Sequence, residues 1–255
     1  MRKDLFFLNT KVFLPVIHIT DNKTNVFNNI EICIEAKADG IFLISHGYLN
    51  YKELIHLGKE IKNKYPSLWI GYNFLDIKNT EVFPKIAEYD CEIEGIWIDD
   101  SKQGILGAES EAETISKSYL DGETNAKIND FKPFLYFGGV AFKYCKQPND
   151  LSKSTVEAFR NMDIVTTSGD GTGLSANINK IKTMYDSLCV FKTNNKHNKE
   201  CSLALASGVS IDNIHTYLPY VDYFLVSSSI SDNHDILNKE KTIKLSKLIH
   251  SDFMQ

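Results

Sequence analysis

Residues 12–45, VFLPVIHITDNKTNVFNNIEICIEAKADGIFLIS, contain the repeat that decides the fold. The apolar, β-branched run at 12–19 predicts a strand, and a polar segment of helix length follows at about 25–38. A second apolar run at 40–45 then predicts another strand. A strand, a helix and a strand in this order indicate two parallel strands joined by a helical crossover.

The same alternation continues to the end of the chain. Further strands are predicted at residues 68–75, 94–99, 133–141, 163–167, 202–206 and 223–227. Further helices are predicted at about residues 51–65, 80–89, 152–161, 174–185, 210–218 and 239–250. Runs that are apolar nearly throughout are typical of parallel strands covered on both faces. Eight such units in 255 residues predict an α/β fold, a (β/α)8 TIM barrel, as a single domain over residues 1–255.

A doubly wound open sheet is the competing architecture. That fold usually carries a glycine-rich turn after its first strand, whereas residues 18–22 here read HITDN. Neither GxGxxG nor GxxxxGK[ST] occurs in the sequence, so the barrel is favoured. The stretch at about 101–131 is rich in polar residues and glycine, and we expect it to be a long βα loop over the active face.

Charge and cysteine content restrict the classes of function. The net charge of −5 argues against a dedicated nucleic-acid binder, because phosphate backbones favour a basic face. No apolar run approaches the roughly 20 residues that span a bilayer, so no membrane association is expected. The five cysteines are scattered without a CxxC pair, which predicts neither a zinc ribbon nor a disulfide framework. We therefore expect a reducing, cytoplasmic location.

In a barrel of this kind, functional residues lie at the carboxyl ends of the strands. The candidate catalytic residues at those ends are His18, His46, Asn73, Asp99, Asp100 and Lys143. Only one of the two adjacent acids can face the barrel mouth, because side chains alternate along a strand. That acid could serve as a general base, as a metal ligand or as a cap at the start of a loop.

The two histidines and the lysine each allow several interpretations. His18 and His46 could stabilise an oxyanion, bind a metal or pack by hydrogen bonding. Two histidines without an HxH or HExxH motif do not define a metal site, so no metal is predicted and no cofactor is identified. Lys143 could neutralise a phosphate or form a Schiff base, and its position in Phe-Lys-Tyr favours a loop edge over the desolvated interior that a Schiff base needs.

A phosphate site is predicted from the segments that follow strands six, seven and eight. Residues 168–173, SGDGTG, would let backbone amides approach an anion closely, although a flexible turn capped by Asp170 explains them equally well. Small, hydroxyl-rich loops after strands seven and eight match the place where barrels hold phosphate, and neither contains an arginine. The predicted ligand-binding residues are Ser168, Gly169, Asp170, Gly171, Thr172, Gly173, Ser207, Gly208, Ser227, Ser228 and Ser229.

Several of these segments together resemble the BtpA family, the photosystem I biogenesis protein and its bacterial relatives, some of which are labelled nucleosidases. The similar segments are residues 15–18 (PVIH), 38–44 (ADGIFLI), 71–75 (GYNFL), 140–143 (VAFK), 163–173 and 206–226. The resemblance implies a barrel with a ribose- or phosphate-type ligand at its mouth. The chain departs from the family pattern at His46-Gly47, at Tyr144 and at residues 227–231, SSSIS.

The expected function is that of an enzyme acting on a phosphorylated sugar or ribonucleotide-like compound. Cleavage or transfer at the anomeric carbon, as in a nucleosidase-type hydrolase, is the leading reaction. Asp99 or Asp100 would activate water or stabilise oxocarbenium-like charge, and Asn73 would position ribose hydroxyls. The alternatives are a sugar-phosphate isomerase or aldolase, and a non-catalytic barrel that binds a ligand or a partner as an assembly factor. Barrels of this size often self-associate, which makes a homo-oligomer an expectation, but no residue indicates an interface.

Overall fold

A computed structural model describes residues 6–89, 93–128, 134–194 and 201–251 of the chain. Its eight parallel strands pair in chain order and close into a barrel in which the last strand pairs with the first. The predicted (β/α)8 fold is therefore confirmed. Residues 90–92, 129–133 and 195–200 lie outside the described part, and Cys91 is among them.

The strands and helices alternate along the whole described chain. The strands are β1 Val12–Ile19, β2 Ile41–Ser45, β3 Ile70–Asn73, β4 Gly95–Ile98, β5 Leu135–Gly139, β6 Ile164–Thr167, β7 Ser202–Ala206 and β8 Tyr223–Val226. The helices are α1 Lys23–Glu35, α2 Tyr51–Lys64, α3 Val82–Ala87, α4 Glu109–Ile128, α5 Leu151–Asn161, α6 Ile178–Asn194, α7 Ile214–Tyr217 and α8 Lys239–His250. Short 3-10 turns occur at Asn79–Glu81 and Ser228–Ile230.

The long first strand shows how the barrel closes. The first half of β1 pairs with β8, where Val12 is opposite Tyr223, and its second half pairs with β2, where Val16 is opposite Phe42. This stagger tilts the strands relative to the barrel axis, as closure requires. It brings the residues that follow β8, β1 and β2 to adjacent places on the rim.

Aromatic side chains fill the inside of the barrel. Phe42 packs edge-to-face against Trp69, Trp97 and Phe137, at ring-centroid distances of 5.4, 5.6 and 5.0 Å. Tyr223 packs edge-to-face on Phe137 at 5.4 Å. Edge-to-face pairs of this kind stabilise a core beyond the burial of their area. These side chains fill the interior of the barrel, so a ligand would bind at the carboxyl ends of the strands and not inside the barrel.

Side-chain caps set where several helices begin. Asn50 accepts hydrogen bonds from the amides of Lys52 and Glu53, and the Glu53 side chain accepts one from the amide of Asn50, which forms a capping box before α2. The side chains of Asp150 and Asn238 cap α5 and α8 by accepting hydrogen bonds from the amides of Lys153 and Lys241. These polar residues end the preceding loops at defined positions, which fixes the geometry of the rim.

The prediction of a long loop over residues 101–131 is wrong for most of that stretch. Residues 109–128 form helix α4, and residues 129–131 lie outside the described residues. The helix begins with Glu109 and Glu111, whose charge favours a helix amino terminus. Ile115 and Tyr119, four residues apart, are buried against the barrel and stabilise one face.

Two other predicted helices begin later than expected. The sixth helix begins at Ile178 and not at 174, so the glycine-rich segment does not lead directly into a helix. The seventh covers only Ile214–Tyr217, because the amide of Ser210 donates to Oδ1 of Asn213 in a turn that precedes the helix. Among the described helices, none is both long enough and apolar enough to cross a membrane.

Candidate functional site

The carboxyl ends of the strands surround a cavity of about 710 Å³. The predicted site residues that line this cavity are His18, His46, Asp99, Lys143, Thr172, Gly173, Ser207, Gly208, Ser227, Ser228 and Ser229. The predicted site residues that the structure places outside the lining are Asn73, Asp100, Ser168, Gly169, Asp170 and Gly171. The polar ends of seven strands therefore meet at one opening.

Asp99, directly after β4, is the acid of the predicted pair that faces the cavity. Burial raises the pKa of its carboxyl, while a hydrogen bond from Asn73 and the charge of Lys143 act in the opposite direction. The Nδ2 of Asn73 donates to Oδ1 of Asp99 at 2.9 Å. Asn73 thus holds the carboxylate and does not line the cavity itself, in contrast to the predicted contact with ribose hydroxyls.

The contacts of Asp100 indicate a structural role instead. Its Oδ1 accepts from the amide of Lys102 at 3.0 Å, and its Oδ2 pairs with Nζ of the same residue at 2.8 Å. Lys102 has a positive φ of 62°, so this closed ring stabilises a strained turn. Asp99 therefore lines the cavity, and Asp100 stabilises the loop that follows β4.

Lys143 follows β5 and reaches the cavity from a constrained loop. Ala141 and Tyr144, which flank it, have positive φ angles of 50° and 60°. Its amide donates to Oγ of the buried Ser168 at 2.8 Å. Burial lowers the pKa of the Lys143 ammonium, while the charges of Asp99 and Tyr144 oppose that effect.

The glycine-rich segment after β6 is held by protein groups at its beginning. A Cβ on Gly169 would lie 2.0 Å from the carbonyl oxygen of Leu174, so this glycine permits a close approach of two backbone segments. The Nζ of Lys180 donates to the carbonyl oxygens of Ser168 and Ala141. The first half of the segment therefore packs the rim, and only Thr172 and Gly173 reach the cavity.

The loops after β7 and β8 form the small, hydroxyl-rich side of the cavity. We call residues 207–213 the β7 loop and residues 227–238 the β8 loop. In the β7 loop, Ser207 has a φ of 84° and its Oγ accepts from the amide of Gly173 at 3.1 Å. Gly208 has a φ of 78°, and a Cβ there would lie 2.0 Å from the carbonyl oxygen of Leu174. These contacts connect the β6 and β7 segments into one wall.

Part of this wall has hydrogen-bonding groups that no described residue uses. The Ser227 and Ser228 hydroxyls and the Gly208 and Val209 amides make no hydrogen bond within the described part of the chain. Ser229 differs, since its Oγ donates to the carbonyl of Val209. Four donors from two adjacent loops therefore remain for a ligand at this side.

The sequence analysis missed His234, which lies in the β8 loop and lines the same cavity. Its ring centroid is 4.3 Å from that of His18 and 5.8 Å from that of His46. The two predicted histidines stack with ring centroids 5.1 Å apart. The available signal was a histidine beside an acid, His234-Asp235, in the segment that follows the eighth strand.

In the described part of the chain, two buried polar atoms of cavity-lining residues have no hydrogen-bond partner. They are Nδ1 of His18 and Nε1 of Trp97. A buried polar group without a hydrogen bond costs free energy, so both atoms would gain from a ligand in the cavity. The cavity thus combines a buried acid, a half-buried amine, three imidazoles and free donors.

Comparisons with known proteins agree on the fold. No family model and no curated protein matches the sequence. A phosphoribosyl anthranilate isomerase from Thermus thermophilus is 12% identical over 94% of this chain and 98% of its own, with a TM-score of 0.58. Monomers made from the dimeric phosphoribosylanthranilate isomerase of Thermotoga maritima match at 11% identity over 94% of this chain and 99% of theirs, with a TM-score of 0.55.

A third similar structure is the tryptophan synthase alpha subunit of Legionella pneumophila. It is 8% identical, with 94% of this chain and 93% of that chain covered and a TM-score of 0.62. At these identities the likeness concerns the fold alone. The chain is therefore a (β/α)8 barrel related in architecture to barrel enzymes.

Proposed function

We propose that the chain is an enzyme that binds a small phosphorylated sugar or ribonucleotide-like compound and acts at its anomeric carbon. The observation that carries this proposal is the arrangement of the rim. In a closed barrel of eight strands in chain order, β4 and β8 lie opposite each other. A buried carboxylate, Asp99, therefore lies across the cavity from the free donors at Ser227 and Ser228.

The β7 and β8 loops supply the anion side. Backbone amides and serine hydroxyls bind phosphate in barrel enzymes at this place. Among the described residues, Lys143 is the only lysine or arginine that lines the cavity. One cation and several neutral donors would therefore share the charge of the phosphate. This composition fits a monoester better than a highly charged polyphosphate.

Asp99 would carry the chemistry. An ionised carboxylate in a partly dry cavity stabilises positive charge that develops at an anomeric carbon, and it can also accept a proton from an attacking water. A raised pKa makes it a stronger base than an exposed aspartate. The hydrogen bond from Asn73 fixes the direction of the carboxylate, so Asn73 acts as a positioning residue.

A sugar-phosphate aldolase or isomerase is the second candidate, and Lys143 is the observation that favours it. Burial lowers the pKa of its amine, which increases the neutral fraction that can attack a carbonyl. Borohydride trapping with a ketose phosphate tests the Schiff-base aldolase: a covalent adduct on Lys143 supports it, and the absence of an adduct rules it out.

Two further observations support the class of substrate without defining it. The names of two structural relatives specify a phosphoribosyl compound as their substrate. The resemblance of several sequence segments to the BtpA family implies a ribose- or phosphate-type ligand, and this stays a prediction. The cytoplasmic location also stays a prediction. A non-catalytic barrel would have no use for a desolvated acid, which costs free energy of folding.

A thermal-shift screen of the purified chain tests the proposal. The probes are inorganic phosphate, ribose, ribose 5-phosphate, phosphoribosyl pyrophosphate and common nucleotides. A ligand at 100 times its dissociation constant adds about 2.7 kcal/mol of stability. We expect ribose 5-phosphate or a nucleoside monophosphate to stabilise the chain and ribose to have no effect.

Two variants make the screen specific. Ser228→Asp places a negative charge among the free donors and should abolish the response to phosphorylated ligands. Ser251→Asp is the control, because Ser251 is exposed and follows α8 at the opposite end of the barrel. If no phosphorylated ligand stabilises the unchanged chain, the proposed phosphate side is wrong. The same holds if these ligands stabilise the Ser228→Asp variant as much as the unchanged chain.

A further inference from the structure

We propose that His18, His46 and His234 form a binding site for one divalent transition-metal ion, with Zn²⁺ as the ion that matches the ligands best. The three residues come from β1, from the segment after β2 and from the β8 loop. Because β8, β1 and β2 are neighbours in the closed barrel, these elements meet at one arc of the rim. The inference stands on this cluster and does not depend on the proposed substrate.

The spacing of the imidazoles fits a metal ion. One ring nitrogen from each of the three histidines lies within 4.8 Å of the others. Zn–N bonds of 2.0–2.1 Å in a tetrahedral site place ligand nitrogens about 3.4 Å apart. The ligand nitrogens therefore need to approach one another by about 1.4 Å at most, which side-chain rotations can provide.

Hydrogen bonding orients His234 for this role. Its Nδ1 lies 2.8 Å from Oδ1 of Asp235, which directs the remaining nitrogen, Nε2, to a possible ligand position. A carboxylate that accepts a hydrogen bond from a ligating imidazole fixes the ring and increases its basicity. His234 thus has the second partner that metal-binding histidines usually have.

The loop that carries His234 is itself fixed. The buried side chain of Asn29 on α1 donates from Nδ2 to the carbonyl of Asp235 at 2.7 Å and accepts from the amide of Leu237 at 2.9 Å. Within the loop, Oδ1 of Asn233 accepts from the amides of Asp235 and Ile236. A ligand on a loop held at both ends loses little conformational entropy when it binds an ion.

The cluster also contains a buried nitrogen that no described residue satisfies. It is Nδ1 of His18, which has no hydrogen-bond partner in the described part of the chain. A buried polar group without a hydrogen bond costs free energy, and a bound ion at this place would offset that cost.

The chemistry of the ligands indicates the class of ion and its exposure. Imidazoles suit Zn²⁺, and also Co²⁺, Ni²⁺ and Cu²⁺, while Mg²⁺ and Ca²⁺ prefer oxygen ligands. Three protein ligands leave a fourth position open, as in catalytic zinc sites. All three histidines line the cavity, so that position faces the space where a ligand would bind.

Calorimetric titration of the metal-free full-length chain with Zn²⁺ tests the site, with Co²⁺ absorption as a second measurement. The variants His46→Gln and His234→Gln each remove one ligand at an exposed position. His56→Gln and His215→Gln are matched controls, because both histidines are exposed and lie on helices away from the cluster. No substrate is present, so the result is independent of the proposed function.

We expect one high-affinity Zn²⁺ per chain and a Co²⁺ spectrum of tetrahedral type. Each ligand variant should weaken the binding by about 100-fold or more, and Asp235→Asn by about tenfold, in the range known for outer partners of zinc ligands. The two control variants should bind as the unchanged chain does. Absent or non-saturating binding, or equal binding by the His46→Gln and His234→Gln variants, would overturn the proposed site.

Discussion

Asn73 and Asp99 lie at the ends of neighbouring strands and are joined by a hydrogen bond of 2.9 Å from Nδ2 to Oδ1. The bond favours the ionised carboxylate, while burial of Asp99 favours the protonated form, and the balance leaves the pKa of Asp99 raised. One amide therefore keeps a desolvated acid oriented toward the cavity. The next two predictions follow from this pair.

Replacement of Asn73 by leucine, a side chain of similar size, should raise the pKa of Asp99 further. The variant loses a hydrogen bond to a charged group, which is worth roughly 1.5–3 kcal/mol, and 1.36 kcal/mol corresponds to one pKa unit. An upward change of about one unit or more is expected in a ¹³C NMR titration of the Asp99 carboxyl. If an activity needs the ionised carboxylate, the pH at which that activity rises should increase by the same amount as the pKa of Asp99. An unchanged titration would contradict the assigned role of Asn73.

The Asp99→Asn variant should be more stable than the unchanged chain at pH 7, and inactive. Because the folded pKa is raised, the folded chain holds this proton more tightly than the unfolded chain, so ionisation of Asp99 costs stability above its ordinary pKa. The advantage of the variant should vanish as the pH falls below that value. Urea unfolding at pH 3.5 and 7 measures the difference, and a loss of stability at pH 7 would count against a desolvated acid.

Gly208→Ala should destabilise the chain by several kcal/mol and displace the β7 loop. A Cβ there meets the carbonyl of Leu174 at 2.0 Å, in addition to the strain of a φ of 78°. Gly47→Ala is the matched control, since its φ is 92° and its Cβ would meet no atom within 4 Å. The control should lose only the backbone term, about 1–2 kcal/mol. Equal losses, measured by denaturant unfolding, would show that the close approach of Leu174 is unimportant.

At the other end of the barrel, Asp163→Ala should cost about 3 kcal/mol or more without changing ligand binding at the mouth. The Oδ2 of Asp163 accepts from the hydroxyl of Tyr119 at 2.7 Å and from the amide of Tyr136 at 2.8 Å, both buried. Its removal takes away the acceptor of two buried donors. Tyr119→Phe removes one donor together with its bond and should cost less, about 1.5–3 kcal/mol. The opposite ranking of the two losses would contradict this account.

Local sequence was sufficient to predict the strands, because parallel strands buried on both faces are apolar runs that stand out from polar segments. The strand order predicted from those runs matches the closed barrel, and seven of the eight described helices were predicted. Helix α4 was missed because its buried face depends on a few spaced residues, such as Ile115 and Tyr119, within a largely polar stretch. Its stability comes from packing on the barrel, which a local pattern does not display.

The sequence indicated which residues lie at the carboxyl ends of the strands. It did not indicate which of those residues contact each other. Alternation along β4 implied that one acid of the pair would face the mouth, and the structure places Asp99 there. The histidine cluster could not be derived, since residues 18, 46 and 234 meet only when β8 closes on β1. The role of Gly169 depends on the carbonyl of Leu174, a contact that spacing does not reveal.

Calorimetric titration with ribose 5-phosphate and, separately, with ribose tests the central claim most directly. We predict saturable binding of the phosphorylated sugar at one site per chain and undetectable binding of ribose. The Ser228→Asp variant should lose that binding, while Ser251→Asp retains it. Equal affinity for the two sugars, or binding that survives the Ser228→Asp change, would contradict a phosphate held by the β7 and β8 loops.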